Sequence, residues 1–234
     1  MNNSAANTGR VLWAGLRALL VLTVVCGVLY PLAVTGLAQG LFPHKANGSE
    51  IKDASGRTVG SELIGQRYDL PTKDGDATPA PDLRWFQPRP SNGLGSNTLN
   101  TRYDLILSGA TNRSADNADL IQWVKAAKAA VIRDNSTATH TVRPEDVPAD
   151  AVTSSGSGLD PHISPEYATL QIPRVAERNG LPVPQVEQLV AAHTDTRLLG
   201  FIGEPRVNVL QLNLALKERL RQKGGRSTPI APAG

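Results

Sequence analysis

From Ala18 to Phe42 the chain runs without a charged residue, ALLVLTVVCGVLYPLAVTGLAQGLF. As a helix rising about 1.5 Å per residue, this stretch covers roughly 37 Å against a hydrocarbon core of about 30 Å. It therefore predicts a tilted transmembrane helix over 18–42. Pro31 removes a backbone donor, and Gly27 and Gly36 loosen the same stretch. Membrane helices accommodate such residues where neighbours resupply the lost partners, so lateral packing against a partner is expected. A cleaved secretory signal is the competing reading, with Gly36-Leu37-Ala38 passing for a cleavage site. Signal cores run about 7–15 apolar residues, and the greater length here favours a retained anchor. Both readings export the chain beyond residue 42.

Orientation is less well fixed. Arg10 and Arg17 precede the span, but Lys45, Lys52 and Arg57 come closely after it, so the positive-inside count is not decisive. The simplest topology is a short cytoplasmic N-terminus at 1–17, one pass through the cell (inner) membrane, and the bulk of the chain outside. The formal net charge of +3 sharpens this partition. The tail at 217–234 holds Lys217, Arg219, Arg221, Lys223 and Arg226 against Glu218, and residues 43–216 hold 17 basic and 20 acidic side chains. The high pI thus belongs to the two ends, and no basic stripe on the body points to nucleic acid. One cysteine, Cys26 inside the apolar run, excludes a disulfide framework within the chain. Aromatic residues make up only 4%, which predicts a core of Leu, Ile, Val and Ala.

The region 43–216 reads as one mixed α+β extracytoplasmic domain, with a basic tail after it. Residues 49–64 predict a hairpin turning at Asp53-Ala54-Ser55-Gly56. The Pro-, Asp- and Gly-rich stretch 70–101 predicts a long loop. A helix is expected over 116–134, capped by Ser114 or Asp116, with Leu120, Trp123, Val124, Ala127, Ala130 and Val131 on a buried face. A second starts at Ser164-Pro165-Glu166, breaks or kinks near Pro173, resumes as RVAERNG and ends at Gly180, and a third spans Pro184 to Ala192. The block VNVLQLNLAL at 207–216 fits both strand alternation and a helical face; the helix formers directly after it favour a helix.

Few constellations point to chemistry. Ser154-Ser155-Gly156-Ser157-Gly158, ahead of a capped helix, offers clustered amides and hydroxyls for an anion, yet it lacks the Gly-Lys-Ser/Thr ending of a P-loop. No lysine lies between Lys128 and Lys217. A structural loop is the simpler reading. Ser157, Asp160 and His162 carry the letters of a hydrolase triad, which gives the alternative of an exported single-anchor hydrolase. Their closeness in sequence, without a strand–elbow–helix setting, argues against it. The four histidines show no paired metal-ligand spacing. Trp85-Phe86 flanked by Pro88, Arg89 and Pro90 reads equally as an exposed recognition edge or as a lid on a minor core.

Taken together, these segments resemble the C subunit of the bacterial Kdp-type potassium-transporting ATPase, from about Arg17 to Leu216. The resemblance rests on Tyr30-Pro31, Phe42-Pro43, Ala46-Asn47-Gly48-Ser49, Gly60-Ser61 with Leu63-Ile64-Gly65-Gln66, and Phe86 with Arg89-Pro90-Ser91. It continues through Ser108-Gly109-Ala110-Thr111-Asn112, Ser155 to Asp160, His162-Ile163-Ser164-Pro165, Gln171 with Arg174-Val175-Ala176, Val207 to Leu210 and Leu212 to Leu216. The stretch 70–84 looks longer than in the family, and Ala110-Thr111 replaces Gly-Ser. The resemblance implies a non-catalytic accessory subunit beside a channel-like potassium-binding subunit, a P-type ATP-hydrolysing subunit and a small hydrophobic subunit. Candidate partner contacts are Tyr30, Pro31, Phe86 and Arg89. It also implies a catalytic chaperone that raises the ATP affinity of the ATP-hydrolysing subunit, with ATP contacts falling on Ser154, Ser155, Gly156, Ser157, Gly158 and Gln171. That implication conflicts with an exported domain, which never meets cytoplasmic ATP.

Overall fold

The computed structural model describes residues 3–71, 79–91 and 108–226. The chain divides into two compact units, Met1–Ser49 and Glu50–Gly234. The expected loop 70–101, its lengthened part at 70–84 and the basic tail lie partly outside the described residues.

In the first unit one rod of helix comprises α1 (Asn3–Val24), a π-helical turn (Val25–Leu29) and α2 (Tyr30–Leu41), followed by the single turn α3 (Pro43–Ala46). Its segment Ala6–Leu41 is long and apolar enough to cross a membrane, with a mean hydropathy of 2.3 over its most apolar window. The rod begins well before Ala18, so Arg10 and Arg17 both lie within it. The Arg17 guanidinium sits 5.8 Å from the centre of the Trp13 ring. Pro31 leaves its mark as expected: with its donor missing, the ladder widens just upstream, and the Tyr30 amide reaches back five residues to the Val25 carbonyl. The rod continues through it rather than breaking.

The second unit mixes helix and sheet. β1 (Glu50–Lys52) and β2 (Thr58–Ser61) form the antiparallel hairpin read from sequence. Gly60 is required there: a Cβ would come within 2.7 Å of a Leu210 methyl, so the hairpin packs tightly on the last helix. α4 spans Ala118–Asn135, and its cap is Asn117, whose side chain accepts from the Leu120 amide at 3.0 Å. Ser114 and Asp116, the expected caps, bond each other instead. The burial expected along α4 fails in its first half. Only Val131 and Asn135 are buried, and Trp123 is 46% exposed with the Arg113 guanidinium 4.5 Å from its ring centre.

α5 (Pro165–Asn179) is the spine of the unit, touching α4, α6 (Val183–Ala192) and β5 (Arg206–Asn208). Ser164 caps it by accepting from the Tyr167 amide, and Gly180 ends it at φ 57°. Of the break or kink expected at Pro173, the break does not occur: α5 runs through the proline. The carbonyl robbed of its partner belongs to Thr169, on the exposed side, while Ala168, Ile172, Val175 and Ala176 stay buried on either side of the proline. Burying each such side chain is worth roughly 1–3 kcal/mol, and together they outweigh about 3 kcal/mol for an interior proline.

The block 207–216 proves to be both alternatives in series. β5 lies between β3 (His162–Ile163) and β4 (Thr194–Asp195), antiparallel to each, and α7 (Val209–Arg226) begins at once. Asn208 makes the switch, its side chain accepting from the Gln211 amide at 3.1 Å as a helix cap does. α7 runs through Leu216 to Arg226, and Lys223 donates to the carbonyls of Asn179 and Gly180 at the end of α5. The core is aliphatic as expected, with an aromatic addition: Tyr68, Phe86 and Tyr167 are buried beside Val175, Val186, Val207 and Leu212.

Candidate functional site

Two clusters around residues 83–91 hold most of the residues singled out in the sequence. The first lies in the core. Phe86 is fully buried, and the Asn213 side chain grips its backbone: the Phe86 amide donates to Asn213 Oδ1 and Asn213 Nδ2 donates to the Phe86 carbonyl, both at 2.9 Å. One residue on, Gln171 does the same to Gln87, accepting from its amide at 2.7 Å and donating to its carbonyl at 3.1 Å. Arg174 completes the clamp. Its guanidinium donates to Asn135 Oδ1 at 2.8 Å, Gln171 Oε1 at 2.6 Å, the Trp85 carbonyl at 2.9 Å and the Leu83 carbonyl. Burial holds the Arg174 pKa down, to about 10, which still leaves it charged at neutral pH, facing amide and carbonyl oxygens. Phe86 is therefore not a partner-facing edge. Its segment carries backbone groups with no strand to pair with, and three polar side chains bring it inside by supplying the partners.

The second cluster is at the Ser/Gly loop. Asp160 accepts from the His162 amide at 2.9 Å and lies 3.1 Å from His162 Nδ1 through one oxygen, and takes Arg89 at 3.2 Å on the other. Burial would raise the Asp160 pKa, but the His162 hydrogen bonds and the Arg89 charge outweigh it and hold it below the usual carboxylate range. Arg89 also donates to the carbonyls of Thr153 and Ser154, Ser91 to that of Gly158, and Ser108 and the Gly109 amide to that of Ser157. Arg89 is thus a strut between two loops rather than a free partner-facing cation.

This geometry bears on two chemical readings. Ser157 Oγ is engaged by the Leu159 amide at 3.1 Å and by Ser155 Oγ at 3.4 Å, and no hydrogen bond among the described residues joins it to His162. A nucleophile without its base is no triad. At the loop named for ATP, several polar groups are engaged within the chain. The amides of Gly158 and Asp160 turn inward, to the Ser155 carbonyl and Ser155 Oγ, the carbonyls of Ser154, Ser155, Ser157 and Gly158 are occupied, and the Asp160 carboxylate stands beside the only guanidinium bonded to the loop among the described residues. Gln171, named with them, is fully buried, and both its polar side-chain atoms are spent on Gln87 and Arg174. Tyr30 lies 67% exposed on the apolar rod, with Pro31 exposed beside it. Among the described residues no three His, Cys, Asp or Glu side chains gather as a metal site would require.

Sequence reading missed the clamp itself, Arg174 with Asn135 and Asn213. A signal was present: Gln171 and Arg174, three apart, fall on the same helical face as Ala168 and Val175, a polar pair on an apolar stripe.

Comparison with known proteins extends over almost the whole chain. Residues 12–218 match the family model described as K+-transporting ATPase, c chain. The chain is 74% identical over 218 residues to the potassium-transporting ATPase KdpC subunit of Streptomyces avermitilis, covering 93% of this chain and 98% of that protein. It is 70% identical over 225 residues to the subunit of the same name from Streptomyces coelicolor, covering 96% and 100%. At greater distance it is 45% identical over 197 residues to the one from Geobacter metallireducens, covering 84% and 92%.

Proposed function

The chain belongs to the family of K+-transporting ATPase c chains, and from that premise we propose that it is a non-catalytic accessory subunit of an ATP-driven potassium uptake complex. The rod Ala6–Leu41 anchors it by a single pass, and the unit from Glu50 onward stands on the outer side of the cell membrane. Its partners are a channel-like potassium-binding subunit, an ATP-hydrolysing P-type subunit and a small hydrophobic subunit. The observation that carries this reading is the continuous match over 12–218, which takes in the apolar rod and the folded unit together.

Any effect on ATP affinity then passes through the membrane helix to the ATP-hydrolysing subunit, and not through a nucleotide held at 154–158, since a loop on the outer side of the membrane does not meet cytoplasmic ATP. The test is co-expression with the other subunits under an affinity tag on this chain. All of them should co-purify from detergent, and deleting this chain should abolish potassium-stimulated ATP hydrolysis by the remainder. A chain that purifies alone, or a remainder that is fully active without it, contradicts the proposal.

A further inference from the structure

The second unit displays one surface that its own fold does not explain. Four of the nine large apolar side chains exposed there, among the described residues, fall within five positions: Leu198 at 68%, Leu199 at 76%, Phe201 at 74% and Ile202 at 49%. They sit at the tip of the hairpin joining β4 to β5. The tip is closed: the Leu198 amide donates to the Ile202 carbonyl at 2.9 Å, and the amides of Phe201 and Ile202 return to the Leu198 carbonyl at 3.3 and 3.0 Å. Leu199 and Gly200 both turn through positive φ, 54° and 82°. Leucine is a poor residue for that conformation, where glycine or asparagine is preferred. The chain thus forgoes burial of four large side chains and adds backbone strain at the most exposed of them. Both costs fall on the same five residues, which marks the tip as shaped for something outside the fold.

We infer that this hairpin tip docks into an apolar pocket on another subunit of the potassium ATPase, with Leu199 and Phe201 as its anchors. The inference rests on the subunit reading above and adds the surface through which it acts. Two observations favour a protein pocket over the bilayer. Below the tip the charges are matched across the hairpin, Arg197 with Glu204 at 2.9 Å and Arg206 with Asp195 at 3.5 Å. That rim carries no net positive charge to hold it on anionic headgroups, and it matches the polar rim around an apolar centre found in protein interfaces. A closed turn with a strained leucine also fixes the direction of each side chain, which a shaped pocket exploits and a fluid bilayer does not.

The test uses the full chain with Cys26→Ser and Leu199→Cys, alkylated by a bulky water-soluble thiol reagent in two settings: alone in anionic-lipid nanodiscs and within the affinity-purified complex. Alkylation should be fast in nanodiscs and at least tenfold slower in the complex. Equal rates in the two settings overturn the inference, as does protection already present in nanodiscs, which assigns the tip to lipid. Phe201→Ser and Leu199→Ser should lower co-purification of the other subunits at least tenfold while leaving the melting temperature unchanged or raised. Undiminished co-purification overturns the docking site, whereas failure of the unaltered chain to co-purify at all overturns the subunit reading instead.

Discussion

The clamp around Phe86 and the hairpin tip at 198–202 invert each other. In the clamp, Asn135, Gln171, Arg174 and Asn213 are polar and almost fully buried; Gln171, Arg174 and Asn213 hold the loop backbone at 83–87, and Asn135 accepts from Arg174. In the tip, leucine, phenylalanine and isoleucine are exposed on a closed turn. The difference teaches that residue chemistry is a poor guide to role in this domain. The polar residues, which look functional in sequence, secure the fold, and the apolar ones, which look like core, are left available to a partner. What decides is whether a group's needs are met inside the chain.

The sharpest way to break this contrast is Arg174→Met. It should cost about 3–5 kcal/mol, because oxygens of Asn135, Gln171, Leu83 and Trp85 lose a donor without regaining water. Denaturant unfolding of the full chain measures it, and a cost below about 1 kcal/mol would mean that the clamp does not hold the loop at 83–87. Asn213→Ala comes next, at about 1–3 kcal/mol, since it strands both backbone groups of buried Phe86.

Acid should loosen the fold by a smaller amount. Burial pushes Asp82 upward, but the hydrogen bonds and charge of Arg84 hold it below its ordinary value, as His162 and Arg89 do for Asp160. A carboxyl with a depressed folded pKa gives stability that is full above its unfolded value of about 3.9 and lost as pH falls through the folded one. Unfolding free energy should therefore be steady down to about pH 5 and decline below about pH 4. Asp160→Asn should flatten that decline, and an unaltered acid slope contradicts the assignment. A gain is expected at Tyr68. Among the described residues its hydroxyl is buried with no hydrogen-bond partner, the neighbouring Asn213 amide being committed to Phe86, so Tyr68→Phe should be neutral or stabilise by up to about 1 kcal/mol. Smallest is Leu199→Asn, which relieves the positive φ and should stabilise by a few tenths of a kcal/mol while weakening assembly.

Much of the architecture is legible in sequence because it is local. The apolar run, the Asp53–Gly56 turn, the Ser164 cap and the Gly180 stop each depend on neighbours a few residues away. What escaped is set by distant partners. Pro173 fails to break α5 because residues from other elements bury the turns on either side. Trp123 stays exposed because α4 is buried only at its C-terminal turn. Phe86 and Gln171 change role for the same reason: the groups that claim them are 127 and 84 residues away in the chain. The Ser/Gly loop was legible as a loop, and its lack of lysine spoke against a phosphate site. That its carbonyls are claimed by Arg89, Ser91 and Ser108 was not, since those contacts span 49 residues or more.

The central claim is that the folded unit works on the outer side of the membrane, held by one helix. Leu63 is 60% exposed in that unit, just beyond β2. With Cys26→Ser and Leu63→Cys in the full chain, a membrane-impermeant thiol reagent applied to intact cells tests the claim directly. Labelling in intact cells should equal that after lysis; labelling that appears only after lysis would place the domain in the cytoplasm and contradict the claim.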